Sequence, residues 1–120
     1  MDPKGYVLVV EDDLDARAIL ELALCQAGYI VTLASNGAEA LAAARRQRPD
    51  VILLDLAMPV MDGFAFRAAQ LCDPELATVP VICVSGRHDA SEVARAMQLS
   101  GCVSKPFLLD ELISRVGELT

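Results

Sequence analysis

Five side chains in this 120-residue sequence could do chemistry together: Glu11, Asp12, Asp55, Ser85 and Lys105. Each closes or follows a short apolar run. Asp55 ends Val51-Ile52-Leu53-Leu54, and the Pro59- and Gly63-bearing segment after it reads as a loop. An acid in the middle of a buried strand would be costly, whereas at its last position it can emerge from the sheet. Glu11-Asp12-Asp13 closes Tyr6–Val10 in the same way. Carboxylates meeting in one cleft raise each other's pKa unless a cation intervenes, and hard oxygen donors suit Mg²⁺ or Mn²⁺. Glu11, Asp12 and Asp55 are therefore the candidate metal ligands. A carboxylate beside a divalent cation, a hydroxyl and an ammonium can handle a phosphoryl group. Asp55 is then the nucleophile that forms an acyl phosphate. Lys105 neutralises phosphoryl oxygens and Ser85 donates a hydrogen bond to another.

The elements that must position these groups follow from periodicity. Apolar runs at Tyr6–Val10, Tyr29–Leu33, Val51–Asp55, Pro80–Val84 and Cys102–Ser104 read as strands. A first helix is expected from Asp13 or Leu14, leaving Glu11 and Asp12 to the cleft. Ala18, Leu22 and Cys25 recur on it at helical spacing, Arg17 and Glu21 lie on another face, and Gly28 stops it. Asn36–Glu39 has capping-box spacing and opens a helix to about Arg46. Phe64–Cys72 forms a third, stopped at Asp73-Pro74. Asp89–Glu92 repeats the capping-box spacing and launches a fourth, to about Leu99. Leu108, Leu109, Leu112, Ile113 and Val116 line one face of a fifth.

Five βα units in strict alternation predict an α/β fold with a five-stranded parallel, doubly wound sheet. The expected architecture is a flavodoxin-like, three-layer αβα sandwich of strand order 2-1-3-4-5. In that order the first and third strands flank the switch point, where ligands sit outside the strands' carboxyl ends.

The bulk numbers narrow the setting. With 54% hydrophobic residues the chain needs and can build a core, and its length is that of one domain, 1–120. Every apolar run is too short to span a membrane, and no basic and apolar leader opens the chain, so a cytoplasmic location is expected. A net charge of −7 argues against nucleic-acid or anionic-membrane binding by this domain. Four cysteines without a CxxC pair read as reduced, buried small hydrophobes. Only two of the ten basic residues are Lys, which makes Lys105 a specific choice. The one His, His88, reads as a surface-loop residue.

With these residues in place, the chain resembles the receiver domain of two-component response regulators, of the chemotaxis-regulator kind. Glu11-Asp12, Asp55 with Met58-Pro59-Val60-Met61-Asp62-Gly63, Ser85-Gly86 and Lys105-Pro106-Phe107 match it in identity, order and spacing. The resemblance covers essentially the whole chain. It implies that Asp55 accepts phosphate from the phosphohistidine of a sensor histidine kinase or histidine phosphotransfer protein. It implies Mg²⁺ held by Glu11, Asp12, Asp55 and the backbone carbonyl of Ala57, and a cis Lys105-Pro106 bond. Further implied partners are a downstream protein target or output domain, absent from this chain, and a second copy in a phosphorylation-dependent dimer. Activity would be confined to the domain's own phosphorylation and dephosphorylation. The family's usual aromatic three positions before the Lys is Cys102 here, so the output is expected to run through the loop Gly86-Arg87-His88 and the fourth helix. Two rivals stand beside this reading. One is a degenerate receiver, a protein-binding scaffold that is never phosphorylated. The other is an aspartyl phosphotransferase or phosphatase, which often needs a second acid where Ala57 stands.

Overall fold

Runs of Val, Ile and Leu that must be buried on both faces form the strands of a central parallel sheet. In a computed structural model, which describes residues 3–56 and 62–120, these are β1 (Tyr6–Val10), β2 (Ile30–Ala34), β3 (Val51–Asp55), β4 (Val81–Ser85) and β5 (Gly101–Ser104). Five helices alternate with them: α1 (Leu14–Gln26), α2 (Gly37–Arg46), α3 (Gly63–Leu71), α4 (Ala90–Ala96) and α5 (Leu109–Leu119). The strand order is β2-β1-β3-β4-β5, all parallel, the expected doubly wound, flavodoxin-like arrangement.

Strand side chains divide by parity. Leu8, Val10, Ile52, Leu54, Val81 and Cys83 face a core closed by α2, α3 and α4. Val7, Val9, Val51, Leu53, Ile82, Val84 and Val103 face a second core closed by α1 and α5. With β3 buried at every position, its carboxyl end is fixed in place from both sides.

Four expectations are corrected. The inward face of α1 is Leu20 and Leu24, while Ala18, Leu22 and Cys25 are exposed. Leu and Ala surround that helix, so apolar spacing alone does not select its phase. Cys83 is buried and Cys102 half-buried, but Cys25 and Cys72 are exposed. Both lie at the last turns of helices, past the positions that reach the core. α4 ends at Ala96 rather than near Leu99, and the Asp89 side chain makes no cap bond because its carboxylate pairs with Arg87 at 2.9 Å. On α5 the core contacts are Leu112 and Val116, with Ile113 at the margin, while Leu108 and Leu109 face outward. By contrast, Asn36 caps α2 by accepting the Glu39 N–H at 2.9 Å.

Candidate functional site

The site is assembled at the carboxyl ends of β1, β3, β4 and β5. Asp13 caps α1 by accepting the amides of Asp15 and Ala16, at 2.9 and 3.3 Å. The helix start thus takes the third acid of its run and leaves the first two for the cleft. β1 and β3 are neighbours, Val10 opposite Leu54, so Glu11 and Asp55 emerge side by side. Glu11 and Asp55 are buried and Asp12 is exposed. Carboxylate oxygens of the three lie within 4.8 Å of one another.

Lys105 reaches into this acid cluster. Its Nζ donates to Glu11 Oε1 at 3.0 Å and to Asp55 Oδ2 at 3.4 Å. Burial, and after it the neighbouring Asp55, push the Glu11 carboxyl up to about 7 against the opposing pull of Lys105. Burial works against charge on Lys105, yet Glu11 and Asp55 together hold its ammonium above the ordinary value. One ammonium does not balance three carboxylates, so the donor set fits a further hard cation.

Ser85 ends β4 one residue past Val84, the register partner of Asp55, and is buried. Its Oγ accepts the Arg87 N–H at 3.1 Å, and its carbonyl accepts the Lys105 N–H at 2.8 Å. The Lys105-Pro106 peptide is cis. The structure thus brings together Glu11, Asp12, Asp55 and Lys105, with Ser85 on the adjoining strand end. The Ala57 carbonyl, with Met58–Met61, lies outside the described residues. His88 is exposed. A side chain at Gly86 would meet only Lys105 Cβ, at 3.9 Å, so packing does not demand glycine there.

Two positioning features escaped the sequence reading. A methyl on Gly63 would stand 2.8 Å from Leu56 Cα and 2.9 Å from the Asp55 carbonyl oxygen. Gly63 therefore lets α3 start directly against the backbone of Asp55, and its N–H donates to Leu56 O at 3.1 Å. Asp62 caps that helix through the Ala65 amide at 2.9 Å. Read as turn residues alone, Asp62 and Gly63 do not disclose this. The second is Arg67, whose buried guanidinium donates to Gln70 Oε1 at 2.7 Å and to the Met97 and Gln98 carbonyls at 3.1 and 3.0 Å. Its signal was available, since Phe66, Arg67 and Gln70 share the inward face of α3.

Comparison with known proteins agrees with this geometry. The family model described as response regulator receiver domain matches residues 7–117. PrrA, a transcriptional regulatory protein of Mycobacterium bovis, is 40% identical over 116 residues, covering 94% of this chain and 48% of PrrA. This chain therefore spans about half the length of that relative. The chemotaxis response regulator CheY4 of Vibrio cholerae matches at TM-score 0.88 and 30% identity over 100% of both chains. The receiver domain of sensor histidine kinase PA1611 from Pseudomonas aeruginosa was solved with a magnesium ion in its active-site cleft. It matches at TM-score 0.86 and 30% identity, over 96% of each chain.

Proposed function

The chain belongs to the response regulator receiver family of two-component systems, and from that membership we propose that it is a Mg²⁺-dependent phosphoacceptor switch whose acceptor is Asp55. The observation that carries this reading is the acid cluster of Glu11, Asp12 and Asp55, with Lys105 Nζ bridging Glu11 and Asp55. Asp55 attacks the phosphorus of a phosphohistidine; its O–P bond forms as the N–P bond breaks, and the imidazole leaves. Lys105, already held between two carboxylates, neutralises a phosphoryl oxygen, and the Ser85 hydroxyl turns to donate to another. Glu11, Asp12 and Asp55 would hold the metal, with the Ala57 carbonyl as a further ligand. When bound, Mg²⁺ supplies charge neutralisation at the phosphoryl oxygens.

The surface beside the cleft supports a protein donor. Ile19 of α1 is 52% exposed, and with Ala16, Phe107 and Leu109 it lines an open groove of about 430 Å³ that reaches Lys105. A sensor kinase or histidine phosphotransfer protein can rest on that apolar rim while its phosphohistidine reaches Asp55. The signal then passes to a downstream target or an attached output domain, or to a second copy of the phosphorylated domain. No helix among the described residues is long and apolar enough to cross a membrane, and a cytoplasmic setting suits a kinase-loaded acceptor.

The test is intact-mass measurement after incubation with acetyl phosphate. The wild type gains one phosphoryl adduct that requires Mg²⁺, and Asp55→Asn gains none. An unmodified wild type, with rapid turnover excluded by quench-flow, would favour the non-phosphorylated scaffold. Multiple turnover of unrelated phosphoesters would favour an enzyme.

A further inference from the structure

Two cysteines stand side by side on β4 and β5. Cys83 and Cys102 are register partners in this parallel pair, so both project to the same face of the sheet. Both belong to the core beneath α2, α3 and α4. Neighbouring strands run about 4.8 Å apart, inside the roughly 4.4–6.8 Å Cα separation that a disulfide spans. The pair is unequal in access. Cys83 is fully buried, whereas half-buried Cys102 lines an open groove of about 290 Å³ with Ser91, Leu99 and Arg115. A small oxidant arriving from solvent meets Cys102 first.

We propose that Cys83 and Cys102 form a redox-active thiol pair that hydroperoxides oxidise to an intrachain disulfide. In the first step Cys102 sulfur attacks the peroxide; an S–O bond forms, the O–O bond breaks, and the products are a sulfenic acid and an alcohol or water. In the second, Cys83 sulfur displaces that oxygen. The S–O bond breaks, the S–S bond forms, and the Cys83 proton leaves with the oxygen as water. The two thiols are oxidised and the peroxide is reduced. Burial, with the neighbouring Cys102 thiol, pushes Cys83 up to about 12, which makes it the less reactive thiol of the two and leaves first attack on the peroxide to Cys102. The bond would tie β4 two residues before Ser85 to β5 three residues before Lys105, joining the strands that carry both phosphoryl-contacting groups.

The experiment uses the full chain with exposed Cys25 and Cys72 changed to Ser, so that intermolecular disulfides do not compete. After hydrogen peroxide, thiols are alkylated in denaturant and counted by mass. Loss of both thiols together, restored by dithiothreitol, with peptides bearing Cys83 and Cys102 linked in a monomer, is the expected result. A Cys83 thiol that still alkylates while Cys102 advances to sulfinic acid would overturn the pairing. In Cys102→Ser, Cys83 should withstand the same peroxide; oxidation at the parental rate would overturn the assignment of Cys102 as the first site. Thiol counting reads the pair directly, whether or not Asp55 carries a phosphoryl group.

Discussion

Glu11 is the residue on which the electrostatics of the site turn. Its carboxyl is buried beside Asp55 and titrates near 7, above its ordinary 4.5. As pH falls through about 7 the folded, metal-free site takes up a proton while the unfolded chain stays ionised. This contribution therefore stabilises the metal-free fold at lower pH and is lost as pH rises through about 7. The same proton competes with metal. Apparent Mg²⁺ affinity is expected to fall below about pH 7, approaching tenfold per unit, and Glu11→Gln should weaken binding and flatten that profile. Mg²⁺ titrations by calorimetry across the range check it, and a wild-type profile flat between about pH 6 and 8 would contradict it.

At the scale of elements, α3 starts against the backbone of Asp55 and also anchors the segment that follows α4. Gly63→Ala pushes a methyl against the backbone of Asp55 and Leu56, neither of which can yield without moving Asp55. It should cost about 1–3 kcal/mol in denaturant unfolding and slow acetyl-phosphate loading as well. α4 is held unequally at its two ends. Just past its C-terminal end the Met97 and Gln98 carbonyls accept from Arg67 of α3, whose partner Gln70 also donates to Leu76 O and Val79 O at 2.9 and 3.0 Å. At its N-terminal end Asp89 instead pairs with exposed Arg87, which also stands 5.6 Å from the Phe64 ring centre. This asymmetry supports a helix that pivots about its C-terminal anchor, an output route that asks nothing of an aromatic at position 102. Phosphorylation should then change amide exchange across 86–96 and leave 97–99 protected. Arg67→Ala should extend the change to 97–99 and cost about 2–4 kcal/mol, with Arg67→Lys a poor rescue because Lys lacks the planar fork. Unchanged exchange in 86–99 on phosphorylation would refute the pivot.

For the whole molecule, the two faces of one sheet carry separate cores. α1 and α5 carry the exposed apolar rim beside Lys105, and α4 packs on the opposite face of the sheet. Docking and chemistry can be separated by one substitution. Ile19→Glu should slow loading from a phosphohistidine protein by tenfold or more, about 1.4 kcal/mol, and leave acetyl-phosphate loading and Mg²⁺ affinity unchanged. Stopped-flow or gel assays with both donors would show it; equal slowing with both would place Ile19 in the fold of the site instead. Much of this design is legible in residues alone. Strict βα alternation with apolar runs ending in Glu11-Asp12, Asp55, Ser85 and before Lys105 determined the parallel sheet and the end of it where chemistry gathers. Strand burial and right-handed crossovers leave few alternatives. Tertiary packing alone decided which face of α1 is inward, because apolar residues ring that helix. It decided that Cys25 and Cys72 face solvent while Cys83 and Cys102 become neighbours, because register joins residues far apart in the chain. It also decided that the Glu11 carboxyl is pushed up to about 7, since that depends on burial and on distances across β1, β3 and β5. Periodicity reports which residues seek the interior; only packing sets which charges must share it.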